Sequence, residues 1–112
     1  MANIEVKEFK IKIGDKEYTF RLDFRALIKY SDQYDNGLEI FNNFLSNKNT
    51  YGCIVKVLSC ACVEKDFTED ELATVLPFDF KTMKILDEVA MALIQGVMGE
   101  KAGTGTEQGK NE

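Results

Sequence analysis

Residues 11–32 read IKIGDKEYTFRLDFRALIKYSD. In the first half apolar and polar side chains alternate: Ile11 and Ile13, then Tyr18, Phe20 and Leu22 beyond Gly14-Asp15-Lys16. A period of two puts these residues on one face of a strand, and two such strands around a short Gly-containing turn make a β-hairpin. At Asp23 the period changes. Phe24, Leu27, Ile28 and Tyr34 fall at helical spacing, and Asp23 supplies the side-chain acceptor that an N-cap needs. Two strands alone are marginal in water, so the hairpin's apolar face must be covered by helices or by another chain. The fold class that follows is α+β.

Upstream, Ile4 and Val6 are in one phase while Phe9, Ile11 and Ile13 are in the other, which suggests a bulge near Lys7–Glu8 in a hairpin covering 4–22. Downstream, the first helix runs over about 24–34 and breaks at Asp35-Asn36-Gly37. A second, 38–46, places Leu38, Phe41 and Leu45 on one stripe, and a polar connection from Asn47 to Thr50 follows. The segment TYGCIVKVLSCACV is apolar almost all round, interrupted only by Lys56 and Ser59. It reads as a helix over 51–63 at the centre of a bundle. Its Ile, Val and Cys content leaves a buried strand over 53–63 as the alternative. Thr68-Glu69-Asp70-Glu71 is a capping box opening a short helix, 69–76, that stops at Pro77. A last helix covers 79–98, with Gly99 closing it. The expected architecture is one domain over 1–99, an N-terminal β-hairpin packed on a small bundle of four to five α-helices. A disordered tail, 100–112, ends in GTGTEQGKNE.

With 112 residues, 45% hydrophobic and 29% charged, the chain is ordinary globular material able to bury a core. Its net charge of −5 and pI near 4.8 argue against a nucleic-acid binder, which needs clustered Lys and Arg. There is no uninterrupted apolar run of membrane-spanning length, and MANIEVKEFK lacks the apolar core of a signal peptide. A cytosol-like compartment is expected. Cys53, Cys60 and Cys62, an odd number crowded into one apolar segment, make a poor disulfide framework.

The residues that might carry chemistry point away from catalysis. The chain has no histidine, the commonest general base and metal ligand. On a helix Cys60 and Cys62 would point about 200° apart, and no second ligand pair exists, so they read as buried thiols. Glu64, Asp66, Glu69, Asp70 and Glu71 lack the spacing and central glycine of a calcium loop. They read as a solvated loop plus a negatively charged first helical turn. Gly103, Gly105 and Gly109 cannot form a phosphate loop because no helix follows them. No enzyme, metal or cofactor is expected. The last helix is the more informative element. Phe80, Ile85, Leu86, Val89, Ala90, Ala92, Leu93, Ile94 and Val97 spread over an arc of roughly 200°, with Met91 and Met98 on its shoulder. A surface helix needs only about 100°. Either the helix packs between two neighbours in its own domain, or part of the arc, with Met91, Ile94, Val97 and Met98 as candidates, faces a partner.

The hairpin and first helix of residues 11–32, with ACVEKDFTEDELATVLPFDFKTMKILDEVAMALIQG over 61–96, resemble the tail assembly chaperones of long-tailed bacteriophages and prophages. The likeness lies in overall pattern, length, acidity and tail, and no single motif carries it. It implies a small α+β protein that binds the tape-measure protein, a long helical partner, and keeps it soluble during tail assembly. It further implies a homo-oligomer, residence in the cytoplasm of the bacterial host, and absence from the mature virion. Many members are made in two lengths by a −1 ribosomal frameshift at a heptamer such as G-GGA-AAA. Gln108, Gly109 and Lys110 can be encoded CAG-GGA-AAA, so the resemblance implies that this chain is the short product. The longer one would link the tape-measure protein to the tail-tube protein. The competing expectation is a small structural tail or head–tail connector protein retained in the virion.

Overall fold

A computed structural model of the chain describes residues 6–98, with side chains as far as residue 95. Strands β1 (Lys7–Ile13) and β2 (Lys16–Leu22) form an antiparallel hairpin, followed by helices α1 (Phe24–Gln33), α2 (Gly37–Leu45), α3 (Thr50–Ala61), α4 (Glu69–Val75) and α5 (Phe80–Met98). The chain is α+β, a hairpin packed on a helical bundle. Gly14 opens the two-residue turn at φ +69°, the left-handed conformation a type II′ hairpin turn demands at its first position. Phe9 pairs with Phe20 and Ile11 with Tyr18, which sets the inward residues of both strands side by side.

The expected bulge near Lys7–Glu8 is absent. Lys7 pairs with Leu22 and Glu8 with Arg21 in an unbroken ladder, and the phase change lies where the strand begins, with Val6 outside it. Ile4 lies outside the described residues, as does the expected tail 100–112. The expected 51–63 helix also ends early. After Ala61 the backbone extends at Cys62, which bridges Phe20, and the Val63 N–H donates to the Thr19 carbonyl at 2.8 Å. The segment is thus a helix as far as Ala61 and not a buried strand over 53–63; Cys62 makes only an isolated bridge. Among the described residues β2 is thus flanked on both sides, while β1 has only β2 beside it.

The core is organised around α3, which touches α1, α2, α4, α5 and β2. Ile54 and Leu58 of α3 are fully buried, together with Phe20 of the hairpin, Leu72 of α4 and Val89 of α5. Phe67, on the way to α4, stacks on Phe20 with centroids 6.2 Å apart and meets Tyr18 edge-on at 5.2 Å. All three cysteines are buried thiols. Burial pushes Cys53 up to about 11 and raises Cys60 as well, the reverse of what activates a nucleophile. The buried Ser59 hydroxyl is satisfied by donating to the Lys56 carbonyl at 2.7 Å.

The acidic run is less idle than a solvated loop. Glu64 accepts the Thr19 N–H at 2.8 Å, Asp66 pairs with Lys29 of α1, and Glu69 takes the half-buried Lys56 of α3 at 2.8 Å. Glu71 accepts the Thr68 N–H at 3.0 Å and lies 3.2 Å from Lys65, while the Thr68 hydroxyl accepts the Glu71 N–H at 3.0 Å. This is the expected capping box, complete. Thr68→Ala should lower stability by about 1 kcal/mol in urea denaturation; an unchanged midpoint would mean that α4 does not depend on its cap.

These bonds also set a pH dependence. The Thr19 N–H holds Glu64 below the usual carboxylate range, Lys29 does the same for Asp66, and the Thr68 N–H for Glu71. Each carboxylate titrates lower folded than unfolded. Its contribution is therefore intact above about pH 4.5, and is lost as pH falls from there through the folded value. Melting temperature should be flat from pH 7 to 5 and fall below, with Glu64→Gln shrinking the fall. A melting temperature independent of pH down to 3 would contradict this assignment.

Candidate binding groove

Helix α1 starts where β2 ends, because Asp23 leaves the strand and its Oδ1 accepts the Ala26 N–H at 3.0 Å. Two of its charged residues reach towards the end of α3. Arg25 donates to the carbonyl of Ala61, the last residue of α3, at 3.3 Å, and Lys29 pairs with Asp66 on the segment that follows. Ala26 and Tyr30 face the core. Phe24, 71% exposed, stays outside with Leu27 and Ile28. Thus the most apolar stripe of α1 is not its buried one.

Helix α2 buries Gly37 and Phe44 and packs Ile40 and Phe41 against the core, whereas Leu38 is 81% exposed and Leu45 is also outside. The two helices are clasped by Tyr30, whose hydroxyl donates to the Gly37 carbonyl at 2.9 Å. A Cβ at position 37 would lie only 2.9 Å from Tyr30 Cε2, so this approach needs glycine. Burial, reinforced by the neighbouring Cys53 and Cys60, pushes the Tyr30 phenol up to about 12; it stays protonated and donating. Gly37→Ala should cost about 1–3 kcal/mol through displacement of the Tyr30 ring. A variant as stable as wild type in urea would show that the clasp yields without cost.

Between these helices runs an open groove of about 720 Å³. Phe24, Leu27 and Tyr30 of α1 form one wall, and Leu38 and Phe41 of α2 another. Val57 of α3 contributes to it as well. Leu22 and Lys7 bring in the open end of the hairpin, and Ala92 and Leu93 of α5 complete the lining. The phenols are directed to protein partners, Tyr30 to Gly37 and Tyr34 to Glu69 at 3.3 Å. What remains is an apolar trough with Asp23, Ser31 and Asp35 among its polar contributors. Such a surface is suited to apolar side chains.

The residues singled out by sequence lie elsewhere. Met91 and Ile94 are on α5 and exposed, 56% and 37%, but neither lines the groove. Helical residues two apart point about 200° apart, so Met91 is directed away from Leu93, which does line it. Val97 and Met98 belong to the helix, but their side chains fall outside the described residues, as do Gln108, Gly109 and Lys110. Helix α5 thus carries two distinct apolar faces. Sequence reasoning placed Phe24, Leu27 and Leu38 on stripes, yet spacing does not say what a stripe faces. Among the described residues no cluster of His, Cys, Asp or Glu could hold a metal ion, and no helix is long and apolar enough to cross a membrane. Comparison with protein-family models, with curated proteins and with solved structures finds no match for this chain.

Proposed function

We propose that this protein binds an amphipathic helix of a partner in the α1–α2–α5 groove. The observation that carries the reading is the groove itself, with Phe24, Leu27 and Leu38 exposed along it. Scattered exposed apolar residues are normal, but several converging on one trough mark a docking surface. An amphipathic helix laying apolar residues at i, i+3, i+4 and i+7 into such a trough is a recurrent mode of recognition. In this reading the protein is a binding protein and not an enzyme.

The resemblance of residues 11–32 and 61–96 to phage tail assembly chaperones gives the partner a name: the tape-measure protein, kept soluble in the host cytoplasm until tail-tube subunits assemble around it. Co-expression with the neighbouring long helical reading frame, followed by capture of this chain, tests it. A soluble complex with that frame's product is expected. A product that stays insoluble or fails to co-purify would reject the chaperone reading. Mass spectrometry of purified particles should find this chain scarce, and a stoichiometric amount would make it a structural virion subunit instead. The codons of Gln108, Gly109 and Lys110 should carry the slippery heptamer if a longer product is made.

A further inference from the structure

Strand β1 has β2 on one side only, and the register of the hairpin fixes which of its backbone groups are left over. Lys10 stands directly across from Thr19. The Thr19 N–H donates to Glu64 and the Thr19 carbonyl accepts the Val63 N–H, so both point away from β1. Residues directly opposite in an antiparallel pair either bond each other or both turn outward. Lys10 therefore turns its N–H and carbonyl to the open side, and Glu8 and Lys12, in the same phase, do likewise. The chain after α3 closes the outer side of β2. Among the described residues nothing does the same for β1.

A depression of about 340 Å³ lies along this edge. Ile11, Lys12 and Gly14 form its hairpin side, and Leu76, Ile85 and Leu86 of the α4–α5 region give it an apolar wall. No residue of β2 lines it, so it opens beside β1, and buried Ile11 places it on the core-facing side. The other face of β1 carries Lys10 and Lys12, both exposed and neither in an ion pair among the described residues.

We propose that β1 accepts an extended acidic segment of a partner protein as a third strand. Acidic side chains would lie over Lys10 and Lys12, with an apolar one between them in the depression beside Ile11. Strand addition draws affinity from main-chain hydrogen bonds and specificity from pockets for alternate side chains. Lys10, Ile11 and Lys12 are consecutive, so one alternating acidic–apolar pattern satisfies both faces. The other charges nearby leave this preference standing. Glu8 is held by Arg21 at 3.4 Å, and Asp79 accepts the Thr82 N–H and lies beside Lys81 in the depression. Glu17 stands across from Lys12 and offsets it in part, whereas Lys10 faces the uncharged Thr19. Lysine on an edge also deters pairing between copies. The two-fold register that aligns residues 8, 10 and 12 sets Lys10 on Lys10, a like-charge pair. The site shares no lining residue with the α1–α2–α5 groove and does not rest on it.

Fluorescence anisotropy on the full-length chain with the labelled peptide Ser-Glu-Val-Glu-Val-Glu-Ser tests this, with amide hydrogen exchange by NMR as the second readout. Saturable binding below about 1 mM is expected. Exchange of the Lys10 and Lys12 amides, which the hairpin leaves unbonded, should slow when peptide is bound. Lys10→Glu should weaken binding about fivefold and favour the counterpart peptide with lysine in place of glutamate. The peptide N-methylated at its glutamates keeps its charge but cannot bond the edge, and it should not bind. Position 10 is exposed, so the fold is spared, and the variant should still capture the client helix. No binding by wild type, equal binding of the N-methylated peptide, or binding without protection of these two amides would each overturn the proposal. So would the same protection appearing without peptide as protein concentration rises, which would make the edge a contact between copies.

Discussion

Phe20→Ala is expected to lower the free energy of unfolding by about 3–5 kcal/mol. Phe20 is fully buried and joins three parts of the fold. It pairs across the hairpin with Phe9, stacks on Phe67 ahead of α4, and bridges by its backbone to Cys62 at the end of α3. Truncating the ring removes its transfer free energy and leaves a cavity, because neighbours held on a ladder and on a helix cannot collapse into it. A domain of this size is stabilised by about 5–15 kcal/mol in total, so the variant should sit near the edge of folding. Urea denaturation at neutral pH measures the loss. A loss below about 1.5 kcal/mol would mean that the hairpin is dispensable to the bundle and that the core does not run through Phe20.

Leu38→Asp and Leu27→Asp should each reduce affinity for the client helix by about 30-fold or more, the effect of losing a hot spot worth 2 kcal/mol. Both residues line the groove and are exposed, so neither substitution should shift stability by more than about 0.5 kcal/mol. The combination, binding lost with fold intact, separates a docking residue from a core residue. Met91→Asp is the control. Met91 lies on the other face of α5, and its variant should bind within a few fold of wild type. The reverse pattern, loss with Met91→Asp and none with Leu38→Asp, would move the docking site to the outer face of α5. Titration calorimetry with a synthetic client helix reads both.

The elements were legible because each announces itself locally. Alternation in IKIGDKEYTFRL, the Asp23 cap and the Thr68 capping box involve residues no more than a few positions apart, and the structure forms each of them. The apolar girth of α3 marked it as the central helix, and it is. The roles of the acids after α3 were not legible. Glu64 bonds a strand amide 45 residues earlier in sequence and Asp66 a lysine 37 earlier, and no local pattern records such partners.

The sequence by itself determined the hairpin, the helices, their caps and the apolar stripe on each helix, since periodicity and capping are short-range chemistry. Which stripe is buried was decided only by tertiary structure. In α1 small Ala26 and hydrogen-bonded Tyr30 enter the core, while Arg25 reaches the last carbonyl of α3 and Lys29 reaches Asp66 beyond it. The Tyr30–Gly37 clasp then fixes α2 beside it. Phe24, Leu27 and Leu38 are left on the surface although Phe44 of the same α2 is buried, because a stripe's preference for burial is non-directional and local spacing does not say which face docks on α3 and the hairpin.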